Sequence, residues 1–587
     1  MMNKGVAIRY GDVAPEAKEN FYPESASSKF NTLAQLQQYN LNFPNYANPC
    51  ELYSVVLDGT ATAFPSVPEN ANLGLWSEQI SNDDGTFTEP IVLTLTSEGQ
   101  YSSQGFTFTF DTYNQIYPTH IKIKWYRNEQ LIVDDGKSMN IDFYPDNAFY
   151  FCRNKVNNYD KVVIEFHSLN MPKNRLKLRV IDYGYGTFFY GDELRGVNLI
   201  QEIDPISTQI SINTADFTLD SHSDMEYSFQ AKQPLSVYFN GELKATTFVK
   251  KSTRKAKRLW SIQSEDYIGL LDSIPYYGGI YTNKNAVELL TDIFTVAKVP
   301  YSIDEVFADA VVTGYIPYTT CRDALMQVAF AIQAVVDTSN SEVVKVFALK
   351  EDVKQTIPLN RIMQGQNFVD EETITAVSVT SHKYIPILPE NDDDLTVLYN
   401  AQESGIGQNI MVIFSEPMQA FKTTGGGEIV KIGTNYAVLN VTEPYFKLGG
   451  MGYEHQTINN VKKNPKVLAN EFEKVVAIEN ATLVSQYNID NVIEKCYNWL
   501  IKTNTTNLKI VEGKHIKYGD YVKYGEKKYG TFKYGEKHPN VVTYDEPVNI
   551  GENIKAETEY LGVVSGRLIK QSFNLNGNII IKEAVLK

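Results

Sequence analysis

Alternation of apolar and polar residues runs through most of this chain, and its clearest stretch is 203–271. From Ile203 to Leu219 the pattern has period two, with Ile210, Ile212, Phe217 and Leu219 among the apolar positions. That period predicts a strand with one buried face. Leu235, Val237 and Phe239 then alternate up to Asn240-Gly241, and Leu243, Ala245, Thr247 and Val249 alternate away from it. Asn-Gly supplies the two positive-φ positions of a type I′ turn, so the stretch predicts a hairpin. Another strand passes through Trp260 and Ile262, and SEDYIGLLDS closes the stretch as a helical turn. Sheets of this kind, apolar on one face, must close on themselves or pair with another chain.

The same patterning divides the rest of the chain. Residues 1–50 are polar, carry Pro15, Pro23, Pro44 and Pro49, and read as an N-terminal arm with one short helix over Lys29–Gln38. Residues 51–195 hold six short apolar-polar runs (LYSVVL, PIVLTLT, GFTFTFD, HIKIKWYR, KVVIEFHS, LKLRVIDY) with turns at Asp83-Asp84-Gly85 and Asp134-Asp135-Gly136, the spacing of a β-sandwich. Phe106, Phe108 and Phe110 share one face there, as do Ile121, Ile123 and Trp125. Residues 196–280 read as a first β-barrel, and 281–394 as an α/β insert.

In the insert, Ala286, Leu289, Leu290, Ile293, Phe294 and Ala297 follow a helical period, with Asn285 or Asn283 as cap. A second helix starts at Thr320, capped reciprocally with Asp323, and points Leu325, Val328, Ala329 and Ile332 inward. AVVDTSNSEVVKVFAL makes two strands around Ser339-Asn340. Residues 395–587 read as a second barrel with associated strands. They include the Gly425-Gly426-Gly427 loop and a helix over 490–502 with Val492, Ile493, Cys496, Trp499 and Leu500 inside. KYG recurs at 517, 523, 528 and 533, and a last hairpin turns at Asn576-Gly577. The fold class is mainly β with an α+β insert: a jelly-roll-like sandwich, then barrels bracketing an α/β segment.

Composition narrows the function. A formal net charge of −16 argues against general nucleic-acid binding, which needs many cations facing phosphate. The basic run Lys250, Lys251, Arg254, Lys255, Lys257 and Arg258 is an exception that reads as a solvated loop. Cys50, Cys152, Cys321 and Cys496 lie far apart without a CxxC, so they read as reduced thiols. No apolar leader or run of ~18 apolar residues occurs, so neither a signal peptide nor a membrane span is expected. The sequons at Asn440, Asn480 and Asn504 therefore carry no glycosylation argument.

A search for chemistry returns little. Glu454-His455 stands outside any HExxH, GEKKYGT lacks the residues of a P-loop, Gly405-x-Gly407 lacks its third glycine, and Val563-Val564-Ser565-Gly566 is no nucleophile elbow. The seven histidines are scattered along the chain. Acidic turns at 82–84, 134–135 and 392–394 do not match an EF-hand. No catalytic, cofactor or metal residue is assigned, and the chain is expected not to be an enzyme. Two glycosidase carboxylates can lie far apart in sequence, so a cell-wall hydrolase stays open as a third reading.

Two resemblances add to this reading. FTFTFD followed by YPTHIKIKWYRNEQLI resembles the jelly-roll sandwich of carbohydrate-binding, discoidin-like modules, in which ligands bind at loop tips. The resemblance implies sugar stacking on exposed rings, with Trp76, Tyr101 and Tyr126 as candidates; their plainer reading is structural. The order of EIDPISTQISINTADFTL, SVYFNGELKATTFV, WSIQSEDYIGLLDS, DALMQVAFAIQAVVDTSNSEVVKVF and ETEYLGVVSGRLIKQSFNLNGNIIIKEAVL resembles the baseplate hub proteins of phage tails and contractile injection particles, including phage tail-like bacteriocins. It covers about 200–587. It implies a homotrimer of barrels joining a tail tube protein to a spike protein, beside baseplate wedge proteins, made in the bacterial cytoplasm and assembled into a virion or tail-like particle. The N-terminal sandwich departs from a minimal hub and opens the alternative of a peripheral cell-surface glycan-recognition protein.

Overall fold

The computed structural model describes residues 5–13, 17, 20–23, 75–221, 229–465, 472–517, 541–575 and 580–587, apart from 112–113, 135, 230, 240, 392–393, 513 and 545–546. The LYSVVL strand, the helix over 29–38, the KYG repeats beyond Lys517, Cys50 and the turn residues Asn240, Asn576 and Gly577 fall outside these. Strands far outnumber helices, so the protein is mainly β. The chain forms two compact units, essentially Ile8–Phe189 and Tyr190–Lys587.

In the first unit, β1 (Leu75–Ile80) pairs with β6 (Arg175–Leu178) in a small sheet. The main sheet is built on two long antiparallel strands, β2 (Thr86–Thr109) and β5 (Phe149–Leu169). On the far side of β5 lies β3 (Pro118–Arg127), which also pairs with β4 (Asn140–Phe143). The short β7 (Val180–Asp182) borders β2. The sequence shows PIVLTLT and GFTFTFD as separate strands, whereas the structure runs both into β2. Register shifts opposite Arg153, Val156 and Tyr159 bend the pair without ending it. Gly105 sits at one bend with φ +139, where a Cβ would lie 2.0 Å from the Cys152 carbonyl oxygen, so a side chain is excluded.

The alternation places Phe106, Phe108, Phe110, Ile121, Ile123 and Trp125 inside, all fully buried. Phe106 stacks on Trp125 at 5.8 Å, and Phe108 and Phe110 meet Phe166 edge-on at 6.1 and 6.2 Å. One ion pair is sealed in this core: Lys177 Nζ lies 3.3 Å from Asp111 and over the Trp76 ring.

The second unit joins its two ends. β8 (Leu194–Glu202), β9 (Thr214–Asp220), β10 (Pro234–Phe239), β11 (Glu242–Arg254) and β12 (Leu259–Glu265) come from the first β-rich stretch. The last stretch gives β19 (Asn504–Glu512), β20 (Gly562–Leu575) and β21 (Ile580–Leu586). Within the unit they run in the order β10-β11-β12-β9-β8-β20-β21-β19, and β15 (Asn367–Asp370) ends the row. The two stretches thus share one sheet through the pairing of Val197–Glu202 with Leu575–Lys570. The β10–β11 hairpin forms as its Asn-Gly predicts, with Gly241 at φ +88.

Residues 203–213 differ from expectation. The strand starts only at Thr214, because Pro205 cannot donate to a ladder and the Asp204 carboxylate accepts from Ile206 N, Gln209 N and the Thr208 hydroxyl, which turns the chain. The apolar residues of the segment stay buried: Ile203, Ile206 and Ile210 plug three different cores.

Between the two stretches lie α1 (Tyr267–Leu271), α2 (Ala286–Ala297) and α3 (Cys321–Ala331). Asn285 caps α2 and Thr320 caps α3, and the six apolar residues foreseen on α2 are all buried. Ile332 of the second helix is half-buried rather than fully inside. β13 (Val335–Asp337) and β14 (Val344–Phe347) form the pair around Ser339-Asn340. A separate sheet contains β16 (Ala376–Pro386), β17 (Lys447–Lys463) and β18 (Val475–Ile478), and α4 (Ile489–Leu500) packs beneath Val377 and Val379. Strands of 376–478 therefore pair among themselves, and of those in 504–587 it is β20 that pairs with the first stretch, through β8.

Asp266 ties three of these elements together. Its carboxylate caps α1 through Ile268 N (3.0 Å) and Gly269 N (3.3 Å), and also accepts from Asn213 N (3.1 Å) and the Thr338 hydroxyl. Burial raises its pKa to about 7, against the pull of those donors. Asp266→Ala is expected to lower the unfolding free energy by about 2–4 kcal/mol, the sum of a lost cap and orphaned buried donors. Asp266→Asn should recover only part of that, since its Oδ1 still caps α1 while its Nδ2 meets the Asn213 N–H, donor against donor. A raised carboxyl favours the neutral acid in the folded state, so this group's contribution is full below about pH 4 and is lost as pH rises towards 7. Denaturation followed against pH should show that slope in the natural chain and lack it in Asp266→Asn.

Candidate functional site

The side of β3 and β5 that faces away from the aromatic core carries a cluster of ionisable and aromatic side chains. With Ile121, Ile123 and Trp125 inward, pleating sends His120, Lys122, Lys124 and Tyr126 outward. β4 sets Asn140 opposite Lys124 and Asp142 opposite Lys122, and β5 sets Glu165 opposite Lys122. Tyr144 follows directly after β4 and is 68% exposed.

Three rings form a column here. Tyr144 stacks on His120 at 5.1 Å and 13°, and His120 stacks on His167 at 4.4 Å and 19°. His120 Nε2 lies 2.8 Å from Asp142 Oδ1, and this hydrogen bond, aided by Lys122, holds the Asp142 carboxyl below its ordinary value. Glu165 is paired with Lys124 and has its other oxygen 3.5 Å from His167 Nε2. Burial is the main reason the His167 imidazole sits below the usual histidine range; the neighbouring His120 adds to it, and Glu165 opposes it. The acids and bases of the face thus neutralise one another across strands, under a Tyr ring open to solvent. Such a surface can stack on the apolar face of a sugar ring and exchange hydrogen bonds with its hydroxyls.

The candidates taken from sequence do not converge. Trp76 is 1% exposed and lies under Lys177, so it cannot reach a ligand. Tyr101 is half-buried against Phe21, with its hydroxyl accepting from Asn20 Nδ2. Tyr126 does lie on the outer face, half-buried at its edge. Tyr144, His120 and His167 were missed because the inward half of the alternation drew the reading. The outward half of HIKIKWYR and NIDFY carried the signal, since cross-strand partners of such a run share a face.

Two of the acidic turns bind their own backbone. Asp84 accepts from Thr86 N and the Thr86 hydroxyl, which lowers its pKa, and Asp394 accepts from Glu390 N and Asn391 N. Among the described residues no group of three or more His, Cys, Asp or Glu is placed to hold a metal ion. Cys152, Cys321 and Cys496 are buried free thiols, and burial pushes Cys321 to about 11 and Cys496 to about 12. No helix among the described residues is long and apolar enough to cross a membrane.

His167 is expected to titrate below pH ~6.5 in a histidine-resolved NMR titration. His120→Gln should move that midpoint up part of the way, because it removes the neighbouring ring but leaves the burial.

No family model matches the chain, and no curated protein matches it in sequence. Among solved structures, the chain is similar to the 43 kDa tail protein of prophage MuSo2 from Shewanella oneidensis, with 8% identity and a TM-score of 0.39 over 68% of this chain and 95% of that one. It is also similar to a tail protein from Neisseria meningitidis (10% identity, TM-score 0.38, 68% and 93% covered). A third similar structure is the prophage tail protein gp18 from Listeria monocytogenes, with 9% identity and a TM-score of 0.35 over 68% and 91% of the two chains.

Proposed function

We propose that this chain is a structural, non-enzymatic component of a phage or phage-tail-like particle: a baseplate hub that joins the tail tube to the spike as a homotrimer. The observation that carries the reading is the end of the shared sheet. Among the described residues β15 pairs with β19 alone, and its other edge is open. All four of its residues are exposed, with Phe368 at 42% and Val369 at 40%. Exposed Leu359 and Met363 lie just before it. The hairpin tip at Tyr560 and Leu561 is held beside it, through Glu559 N donating to Gln366 and Leu359 N donating to Glu557. An apolar, unpaired edge is a hazard that a lone protein blunts and an assembling one uses. Edge-to-surface contact repeated head to tail closes a ring when the rotation allows, which is the geometry of a trimer. Tail tube, spike and baseplate wedge proteins are the partners of this reading, and the assembled virion or tail-like particle is its location.

A second reading, peripheral recognition of a cell-surface glycan, is favoured by the Tyr144–His120–His167 column. It places a sugar on the outer strand face rather than at Trp76 or Tyr101.

Sedimentation of the purified chain is expected to show a trimer. Phe368→Lys combined with Val369→Glu should shift it to monomer with unchanged circular dichroism, because both side chains are already exposed. A natural chain that stays monomeric at high concentration, with no ring in particle images, would remove the hub reading. For the second reading, a glycan array should show binding by the full chain that Tyr144→Ala abolishes, and an array with no retained glycan removes it.

A further inference from the structure

In the second unit, two histidines far apart in sequence meet across a strand pair. On β16 and β17 the register sets Tyr384 opposite His455 and His382 opposite Thr457, so His382 is the diagonal neighbour of His455 on one face. His382 is buried, and its Nδ1 lies 3.0 Å from His455 Nε2. Its other nitrogen, Nε2, lies 3.0 Å from the Glu479 backbone carbonyl oxygen. Tyr384 covers His455 in a parallel stack at 4.5 Å and 3°.

These contacts fix the protons. A carbonyl oxygen only accepts, so His382 Nε2 carries hydrogen and donates to Glu479. His382 Nδ1 is then the acceptor, and His455 Nε2–H donates to it. One added proton fits on His455 Nδ1 and leaves both hydrogen bonds intact. A second must go to His382 Nδ1, which sets N–H against N–H at hydrogen-bonding distance, with a cation on a buried ring.

The surrounding groups offer that second charge no partner. On β16 the neighbours are Lys383 and Tyr384, and on β17 they are Glu454 and Gln456, which hydrogen-bond each other. Tyr315, on the strand Val311–Ile316, tilts against Tyr384 at 5.3 Å, and Glu416 bears on Tyr315 rather than on the imidazoles. β18 has no titratable side chain. Glu479 offers its backbone, its side chain being exposed. The Asp490, Glu494 and Lys495 side chains belong to α4, which packs under the opposite face at Val377 and Val379. Burial holds His382 below the usual histidine range, the Glu479 carbonyl opposes that shift, and His455 adds to it.

The strand held by this pair is lightly supported. Residues 447–450 of β17 lie between strands paired on either side, but from Tyr453 to Lys463 β17 pairs with β16 alone among the described residues. We propose that His382 and His455 form an acid-sensitive clasp that fastens the outer half of β17 to β16 and opens when the pair takes up a second proton. Since the folded state disfavours that proton, the clasp is at full strength above about pH 6.5 and is lost as pH falls below it.

Hydrogen–deuterium exchange of the full-length chain at about pH 7.5 and about pH 5, corrected for intrinsic rates, reads this directly. Residues 453–458 should lose about tenfold or more of their protection at the acid pH, while α2 and α3 keep theirs. His455→Gln sets its amide near the place of Nε2, keeps a donor to His382 and can rotate that amide to accept when His382 is charged, so its protection should change little between the two conditions. Loss of protection in His455→Gln equal to that in the natural chain overturns the clasp, as does unchanged protection in the natural chain. If His455→Gln does not fold, NMR of labelled histidine in the natural chain decides. The His382 ring should titrate below the ordinary histidine value, and an ordinary midpoint for His382 overturns the proposal.

Discussion

The pairing of β8 with β20 is the constraint on which the second unit depends. It joins residues about 370 positions apart, and Gln201 and Gln571 meet inside it in a buried hydrogen bond of 2.6 Å. Closing a flexible loop of that length costs on the order of 5 kcal/mol in chain entropy. The intervening chain lowers that cost by folding on itself: α2 and α3 build one core, Val377 and Val379 with α4 another, and the strands of 407–441 a third. With its ends drawn together, the insert presents two short tethers to the sheet instead of one long loop. Ile203, Ile206 and Ile210 then fasten the tether beside β8 to three different cores.

Buried polar groups set register where apolar packing alone would tolerate a slip. Gln201 Nε2 donates to the Lys244 carbonyl while its Oε1 accepts from Gln571, which links β8, β11 and β20. Lys582 pairs with Glu512 at 2.6 Å and donates to the Val548 carbonyl, fixing β21 against β19; burial lowers its ammonium to about 8. Asp266 does the same for α1, the 203–213 segment and the turn at Thr338. Each of these would leave an uncompensated donor or acceptor if its strand moved by one residue.

Much of this was legible in the sequence, for reasons that differ by element. α2 and α3 were readable because cap and period agree, and the β10–β11 hairpin because Asn-Gly leaves few other conformations. The aromatic core of the first unit was readable because Phe106, Phe108 and Phe110 repeat the period of the pleat. Residues 203–213 misled because buried loops share the apolar content of strands, and Pro205 outweighed the alternation. The sharing of one sheet by 194–265 and 504–587 was hidden, since no local pattern records which distant edge a strand will meet. The two histidine pairs were hidden for the same reason: His120 with His167, and His382 with His455, meet only through register.

That long-range pairing also orders events on the ribosome. At roughly 5–20 residues per second, about 20–75 s pass between the emergence of β8 and that of its partner. Through that interval the nascent chain has a half-built sheet. β15 cannot take its place at the end of the row until β19, β20 and β21 have arrived, because its only described neighbour is β19. Without β19, β15 would be left without its described neighbour, and the apolar edge it carries would not be set at the end of the row.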